Sequence, residues 1–284
     1  MEPLIILCEG TEQSFDYILL NKLFTRHERI RIIPVGSRFG MKLRIDAVRK
    51  VYHHKVYGIL DRDFPEKWEK SGDVSIDWFV SENDKSIRYG WFWSRKELEN
   101  YLLDKMIITN TPVGKSFPFD HYQKALEQSR NSLVFYQAAR IAMSILGRTG
   151  QYYVPSSFGV TRGTKEKYCF PKEDQLTENE CLRQIDSIYE EYLLRHSGRF
   201  ETLRKTFQQY VLECCEGGCR FEDFLSAFSG KDLAWKMDDW FVQNGFQGTR
   251  QFLHCVVHGI FETKEDIVSW LPEWKNLYEL LEQM

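Results

Sequence analysis

Short apolar runs alternate with amphipathic stretches along the first hundred residues. Consecutive apolar residues predict buried strands, whereas apolar residues spaced three and four apart predict helices. Strands that alternate with helices are typical of βαβ units and a parallel sheet. In the second predicted helix, Leu43, Ala47, Val48 and Val51 lie near one face. The predicted strands cover residues 3–8, 30–35, 55–61, 75–80 and 88–93, and the predicted helices cover residues 12–24, 41–52 and 94–103.

The pattern changes after about residue 105, where helical spacing dominates. We therefore expect an α/β fold in two domains, with a parallel sheet flanked by helices in residues 1–105 and a mainly helical domain in residues 106–284. The second domain would supply dimerisation, partner or substrate contacts. Its predicted helices cover residues 121–146, 178–195, 200–215, 221–228, 232–244 and 264–284.

Charge is distributed unevenly along the chain. The 284 residues carry a net charge of −3, which by itself gives no sign of a nucleic-acid partner. Residues 22–55, however, hold ten Lys or Arg against two Asp or Glu, a local excess of ten minus two, or +8. Such a segment is typical of a phosphate-binding surface and also of an ordinary solvated helix face, so both interpretations stay open.

The composition predicts a protein of the reducing cytoplasm. Seven cysteines, an odd number at irregular spacing, do not resemble a disulfide framework. The opening residues, MEPLIILCEG, lack the basic region and the cleavage site of a secretory signal. No apolar run is long enough to span a bilayer, so we expect no membrane partner.

Carboxylates follow three of the predicted strands. Glu9 follows the first strand, Asp61 and Asp63 follow the third, and Glu97 and Glu99 come just after the fifth. Because the carboxyl ends of parallel strands share one edge of a sheet, ligand sites form there. Carboxylates gathered at one edge repel one another unless a cation neutralises them, and hard oxygen ligands favour Mg²⁺ or Mn²⁺. The spacing therefore predicts a cation site that can activate water and hold a phosphate.

The chain resembles the Toprim nuclease family related to the OLD-type nucleases. The resemblance rests on three stretches taken together, CEGTEQSFDYILLNKLF, GILDRDF and RKELENYLL. The likeness covers about residues 1–105 and is strongest to a subgroup that includes the effectors of PARIS anti-phage defence; FSGKD, further along, is a weaker match. It implies that Glu9 is the catalytic acid, that Asp61 and Asp63 bind metal, and that Glu99 is an additional nuclease acid. Gln13 stands where many members carry an acid, so a second metal, and compensation by Asp16, stay open.

The resemblance implies a Mg²⁺- or Mn²⁺-dependent endonuclease of anti-phage defence that cleaves tRNA, other RNA or DNA. It also implies a homodimer in the active state and a partner ABC-type ATPase that holds the nuclease inactive until infection. Arg38, Lys42 and Arg44, which follow the second strand, would then contact the substrate backbone. The alternatives are a non-catalytic nucleic-acid-binding or regulatory subunit on the same scaffold and, with less support, a primase- or topoisomerase-like enzyme.

The acidic candidates also have ordinary structural interpretations. Asp61 and Asp63 are residue types that cap turns, and Pro65 follows them. Glu97 suits the capping-box position of a helix whose N-cap is Ser94, and this role is preferred to a catalytic one.

The remaining motifs carry weaker signals. The cysteines of CCEGGC, Cys214, Cys215 and Cys219, lack the second Cys pair or His of a zinc site, so ordinary helix cysteines are expected. Two histidine pairs, 53–54 and 254/258, are expected to be packing or surface residues. Residues 148–172 interleave basic and aromatic side chains that can stack bases, although a surface loop is the preferred interpretation. No P-loop is present, so the chain itself is not expected to hydrolyse ATP.

Overall fold

The computed structural model describes residues 3–51, 55–65, 67–68, 76–82, 85–148, 170–193 and 200–284. The chain forms two compact units. The first unit comprises Met1–Arg62, Ser71–Pro118 and Arg250–Met284, and the second comprises Asp63–Lys70 and Phe119–Thr249. The C-terminal segment therefore belongs to the same unit as the N-terminal segment.

The first unit contains a five-stranded sheet in the order β2-β1-β3-β5-β4. The strands are β1 (Leu4–Cys8), β2 (Ile30–Pro34), β3 (Val56–Leu60), β4 (Ile76–Glu82) and β5 (Lys85–Phe92). Strand β1 pairs in parallel with β2 and β3, and β3 pairs in parallel with β5, whereas β4 runs antiparallel to β5. The expected α/β class, with a mostly parallel sheet followed by a helical region, is confirmed.

Strand β1 lies inside the sheet and is apolar on both faces, as parallel strands covered by helices usually are. Leu4, Ile6, Leu7 and Cys8 each expose at most 2% of their surface. Strand β2 is at an edge of the sheet, and its side chains alternate between buried and exposed. Because slipping β1 by one residue would move its side chains to the other face, this burial fixes where the strand ends.

The helices, in chain order, are α1 (Phe15–Leu23), α2 (Met41–Val51), α3 (Leu98–Leu102), α4 (Lys105–Asn110), α5 (Phe119–Arg148), α6 (Glu178–Leu193), α7 (Phe200–Cys214), α8 (Cys219–Glu222), α9 (Phe224–Ala227), α10 (Gly230–Lys236), α11 (Asp238–Gln243), α12 (Thr249–Glu262) and α13 (Pro272–Glu282). Helices α1–α4 and nearly all of α12–α13 belong to the first unit, and α5–α11 belong to the second.

Most predicted helices are present, but three were predicted with the wrong extent. The single helix expected over residues 221–228 is two short helices, α8 and α9, which meet at Asp223. The helix expected over 232–244 is likewise divided at Met237 into α10 and α11. The helix expected from residue 264 starts only at Pro272, because proline is well suited to a first helical position. Helix α12 was not predicted at all.

Helix α2 is present where predicted, but a different face of it packs against the sheet. Its buried residues are Met41 and Ile45. Leu43 and Val51, which lie on the predicted apolar face, are 72% and 67% exposed, and Ala47 is exposed as well. The buried residues of the core next to α2 are Leu7, Met41, Ile45, Val56, Leu60 and Tyr89. An apolar stripe on α2 therefore faces outward.

A buried ion-pair network fastens the C-terminal segment within the first unit. Arg95 contacts the carboxylates of Asp104 at 2.7 Å and Glu273 at 2.8 Å, and all three side chains are about 90% buried or more. The ring of Tyr101 packs 6.0 Å from that of Trp274 on α13. Because removing one partner of a buried pair leaves an uncompensated charge, loss of any one of these three side chains would destabilise the first unit.

The second unit is built around the long helix α5, against which α6, α7 and α10 pack. Gln137 and Arg140 on α5 both contact the carboxylate of Asp232 in the FSGKD stretch. The backbone N–H of Ser229 donates to Gln137 Oε1 at 3.1 Å, and Ser229 is the N-cap of α10. FSGKD therefore joins the start of α10 to the middle of α5 through buried polar contacts.

Within the described ranges, no helix combines the length and the apolar character needed to cross a membrane.

Candidate active site

Glu9 lies immediately after β1, at the start of a tight turn. Gly10 has φ +87°, a left-handed conformation that glycine adopts readily, and a Cβ there would collide with Ser14 Oγ. Ser14 Oγ in turn donates to the carbonyl of Thr11 at 2.6 Å, and Ser14 is the N-cap of α1. The Glu-Gly pair therefore ends the strand and redirects the chain into α1, with Glu9 left at the strand tip.

Asp61 lies at the end of the neighbouring strand. Cys8 pairs with Ile59 in the β1–β3 register, so Glu9 is level with Leu60 and one residue short of Asp61. Adjacent strands are about 4.8 Å apart, so the two carboxylates start from neighbouring backbone positions. The Oε1 atom of Glu9 and the Oδ1 atom of Asp61 are both buried from solvent. The structure therefore brings these two predicted site residues to one edge of the sheet.

The segment after β3 is hydrogen-bonded to the residues that follow β5. Within the first unit, the N–H of Trp93 donates to Leu60 O at 2.9 Å and the N–H of Arg62 donates to Lys96 O at 2.9 Å. Asp63 is two residues beyond Asp61, is half-buried, and belongs to the second unit. Asp61 therefore belongs to the first unit and Asp63 to the second.

Two arginines of the second unit contact the segment that begins at Asp63. The guanidinium of Arg140 lies 5.7 Å from the ring centre of Phe64, which is 4% exposed. Arg220, with no exposed surface, donates from Nη2 to Pro65 O at 2.6 Å. These contacts fix the backbone directly after Asp63. Buried arginines are rare, and nothing in the sequence pattern indicated this role.

Asp16, on the first turn of α1, is a further carboxylate at this edge. The indole Nε1 of Trp93 donates to Asp16 Oδ1 at 3.1 Å. Burial, together with the negative charges of Asp16 and Glu9, raises the pKa of the Cys8 thiol to about 12. Asp16 is therefore close enough to the end of β1 to act on the same groups as Glu9. Gln13, at the position where the resembled family often has an acid, is exposed.

The two acids after β5 have different positions on α3. Glu97 is the N-cap, and its N–H donates to Asn100 Oδ1 at 3.0 Å. The prediction that Ser94 caps this helix was wrong, because the Ser94 hydroxyl is instead hydrogen-bonded to Tyr101 Oη at 2.9 Å. Glu99 is half-buried in the first turn of α3. Glu97 therefore has a structural role, and Glu99 keeps its place among the candidate catalytic acids.

A loop rich in glycine joins β2 to α2 and lies beside the Glu9 turn. The backbone N–H of Gly10 donates to Gly36 O at 2.6 Å, and the N–H of Gly36 donates back to Gly10 O at 2.8 Å. Arg38 in this loop donates from Nη1 to the carbonyl oxygen of Asp61 at 3.5 Å. The loop is therefore hydrogen-bonded to Gly10, the residue after Glu9, and reaches the backbone of Asp61.

The other two predicted phosphate contacts have different surroundings. Lys42 donates to Asp46 Oδ2 at 3.0 Å and lies 4.8 Å from the ring centre of Tyr89. Burial by itself would raise the pKa of Asp46, but hydrogen bonds from Tyr89 and Lys42 outweigh it and lower that pKa. Arg44 is exposed, with Nη1 3.9 Å from the place a Cβ on Gly36 would occupy. The charge of Lys42 is thus partly used within the protein.

The donor set suits Mg²⁺ or Mn²⁺ with water as the remaining ligands. Among the described residues, no group of three or more His, Cys, Asp or Glu side chains is placed to hold a metal ion by itself. Mg²⁺ is usually held by one or two carboxylates together with several waters and substrate phosphates, rather than by a complete set of protein ligands. Glu9 and Asp61, as neighbouring carboxylates at a sheet edge, meet that requirement, and Asp63 lies within two residues of Asp61.

The remaining sequence candidates lie elsewhere. Cys214 is buried, and this burial raises the pKa of its thiol, whereas Cys219 is exposed. His254 packs its ring 5.0 Å from that of Phe15, and His258 lies 3.9 Å from a carboxylate oxygen of Glu262. His53 and His54 and most of the loop over residues 148–172 lie outside the described residues.

Neutralising Arg38 or Arg44 is expected to weaken nucleic-acid binding on all sequences about equally. Each Arg→Gln change should also lower the slope of log affinity against log salt by about 0.7 to 0.9, the counterion release per phosphate contact. Lys42→Gln should have a smaller effect, because Lys42 already pairs with Asp46. Binding is measured over a salt series with Ca²⁺ in place of Mg²⁺, so that cleavage does not interfere.

Arg26→Gln is the matched control for this series. Arg26 belongs to the same basic segment but precedes β2, at the opposite end of that strand from the glycine-rich loop, and it pairs with Asp266. If the Arg38 and Arg44 variants keep the wild-type slope, or if Arg26→Gln lowers it equally, the proposed phosphate contacts are wrong.

No protein-family model matches the chain, and no curated protein sequence matches it either.

Proposed function

We propose that this chain is a Mg²⁺-dependent endonuclease that hydrolyses phosphodiester bonds. The observation that carries the proposal is the placement of Glu9 and Asp61 at the ends of adjacent parallel strands, beside a loop that carries Arg38. In open α/β sheets, ligands bind at the carboxyl edge of the strands. Paired carboxylates next to a fixed guanidinium suit a phosphate and its cation.

Each side chain has a distinct task in this proposal. Glu9, Asp61 and Asp63 would hold the cation, either Mg²⁺ or Mn²⁺. When bound, such an ion lowers the pKa of water and stabilises the charge that develops on phosphate oxygens. Glu99 would accept a hydrogen bond from the attacking water and orient it. Arg38 would bind a non-bridging oxygen of the scissile phosphate, since its guanidinium already reaches the Asp61 backbone.

The biological setting of the proposal rests on the Toprim resemblance of the Glu9, Asp61–Asp63 and Glu99 motifs. We propose an effector of anti-phage defence that cleaves tRNA, other RNA or DNA after release or activation by a partner ABC-type ATPase. The active form would be a homodimer, because a single site cuts one strand and two copies can cut a duplex or clamp a folded RNA.

The direct test is a cleavage assay on labelled tRNA, unstructured RNA, single-stranded DNA and duplex DNA. The assay has two arms, one with the partner ATPase and one without it. We expect cleavage of at least one substrate in Mg²⁺ or Mn²⁺ in at least one arm. EDTA should stop the reaction, added Mg²⁺ should restore it, and Asp61→Asn should remove it. Cleavage that persists in EDTA or in the Asp61 variant would contradict the proposal.

One observation favours a second candidate, a non-catalytic nucleic-acid-binding or regulatory subunit. Gln13 stands where many members of the resembled family carry an acid. This candidate predicts binding of nucleic acid in Ca²⁺ with no cleavage of any of the four substrates in Mg²⁺ or Mn²⁺. The same assay therefore separates the two functions.

A further inference from the structure

Phe39 is the most exposed large apolar side chain of the described residues, with 91% of its surface accessible. Single exposed apolar residues are common on proteins, so exposure alone does not assign the ring a partner. The position of Phe39 is specific, because it lies in the glycine-rich loop between β2 and α2, next to Arg38. The accessible ring therefore lies where a ligand of this sheet edge can contact it.

The loop that carries Phe39 is held in a defined conformation. It starts at Gly36, which exchanges two backbone hydrogen bonds with Gly10. It ends in a turn in which the N–H of Met41 donates to Arg38 O at 3.1 Å, and α2 begins there. The exposed ring is therefore presented from a fixed turn directly beside the residue that follows Glu9.

Two arginines lie near Phe39 along the chain. Arg38, directly before it, reaches the carbonyl of Asp61 at 3.5 Å. Arg44, on the first turns of α2, is exposed and lies beside Gly36 of the same loop. Sites for single-stranded nucleic acid combine an aromatic face for a base with positive charge for the backbone. In a duplex the base faces are covered by stacking, and inserting a ring between them costs unstacking energy, so an unpaired or flipped base is the favoured partner of an exposed ring.

We propose that Phe39 stacks on an unpaired base adjacent to the scissile phosphate, so that the substrate is a single strand, a loop or a strand with an extruded base. This inference rests on the proposed function, and it adds the class of substrate and the residue that selects it. It uses three features of one sheet edge: the Gly10–Gly36 backbone pairing, the Arg38 contact to Asp61, and the exposed ring.

The alternative is that another protein binds the surface formed by Phe39 and the exposed apolar side of α2. Leu43, Ala47 and Val51 continue the exposed apolar side of α2 at four-residue spacing from Phe39, as in helices that bind another protein. The charges favour nucleic acid: Lys50 and Arg44 are exposed on α2, and Arg38 precedes Phe39 in the loop.

The test measures binding of a hairpin RNA and a single-stranded DNA, each with 2-aminopurine at one unpaired position, against the fully paired duplexes. Ca²⁺ replaces Mg²⁺ throughout. We expect the wild-type chain to prefer the unpaired probes and to change their 2-aminopurine fluorescence on binding. Phe39→Ala should weaken that binding by about 5- to 150-fold, the range for loss of one stacked base, and should remove the preference over duplex. Phe39→Tyr, which keeps the ring, should restore both.

Leu43→Ala is the matched control, since Leu43 is 72% exposed on the same side of α2 but has no ring. It should bind the probes like the wild type. If Phe39→Ala binds them unchanged, or if both variants weaken binding equally, the stacking role is wrong. If Phe39→Ala and Leu43→Ala instead shift the sedimentation coefficient from dimer to monomer without altering probe binding, the surface is a protein interface and the inference is overturned.

The outcome for Phe39 is separate from the outcome for the proposed function. If cleavage requires Asp61 but Phe39→Ala binds the probes unchanged, the stacking inference is overturned and the proposed nuclease function stands. If probe binding depends on Phe39 but no substrate is cleaved in Mg²⁺ or Mn²⁺, the stacking role is supported and the proposed nuclease function is overturned.

Discussion

Replacing Glu9 with glutamine is expected to reduce cleavage by about a thousandfold or more while the protein stays folded. The substitution keeps the shape of the side chain and removes the charge that would bind the cation. Metal stabilisation of a transferring phosphate is worth several kcal/mol, and each 1.4 kcal/mol is about a factor of ten in rate. Glu9 follows β1 and contributes no side chain to the apolar core, so the Tm should change by no more than about 2–4 °C, which corresponds to about 1 kcal/mol.

The control for Glu9 is Glu12→Gln, which removes the same charge from an exposed position three residues further along. We expect this variant to cleave at the wild-type rate. Equal losses in both variants would point to long-range charge rather than to a metal ligand. A large fall in Tm for Glu9→Gln alone would instead assign Glu9 a structural role.

Arg220→Met is expected to destabilise the second unit by about 3–5 kcal/mol, the usual cost of removing one partner from a buried ion pair. Arg220 has no exposed surface and contacts Glu213 Oε2 at 2.6 Å as well as Pro65 O. Its guanidinium also lies 5.1 Å from the ring centre of Tyr210. The methionine would fill the space but would leave both oxygen acceptors without their donor.

Urea unfolding followed by circular dichroism and tryptophan fluorescence measures this effect, and separate transitions are analysed if the two units unfold apart. Arg204→Met is the matched control, because Arg204 pairs with Asp186 in the same unit at a largely exposed site. Exposed pairs contribute about 0–1 kcal/mol, so this variant should remain close to wild type. If the two arginine variants lose the same stability, the buried contacts of Arg220 do not anchor the segment that follows Asp63.

The elements that position Glu9 and Asp61 were predictable because their signals are local. Strands β1 and β3 are short apolar runs, and Glu9-Gly10 and the Asp-rich segment before Pro65 are turn signals directly at their ends. The parallel pairing of these strands follows from the helices between them. Sequence alone could therefore place both acids at one sheet edge.

The parts that were not predicted depend on contacts between distant segments. Helix α12 contains β-branched residues and Gly259, which lower helix propensity. The structure explains the glycine, because a Cβ at Gly259 would lie only 2.8 Å from Pro112 Cδ. Packing of α12 within the first unit therefore overrides a weak local preference.

The residues of α2 also show what local sequence patterns do not specify. Lys42 was predicted to contact phosphate, although Asp46, four residues later, already indicated an ion pair within the helix. The local pattern likewise gave no means to decide that Met41 and Ile45, rather than Leu43 and Val51, would be buried. That choice depends on how the helix is rotated against the sheet, which local spacing does not specify.

The central claim is that the edge formed by Glu9 and Asp61 binds a divalent cation, and Mn²⁺ binding followed by electron paramagnetic resonance tests it most directly. The wild-type chain is expected to bind Mn²⁺ saturably, with Mg²⁺ as a competitor. The Glu9→Gln/Asp61→Asn double variant, shown by circular dichroism to be folded, is expected to lose affinity by about tenfold or more. Equal Mn²⁺ affinity in the folded double variant and the wild type would contradict the account.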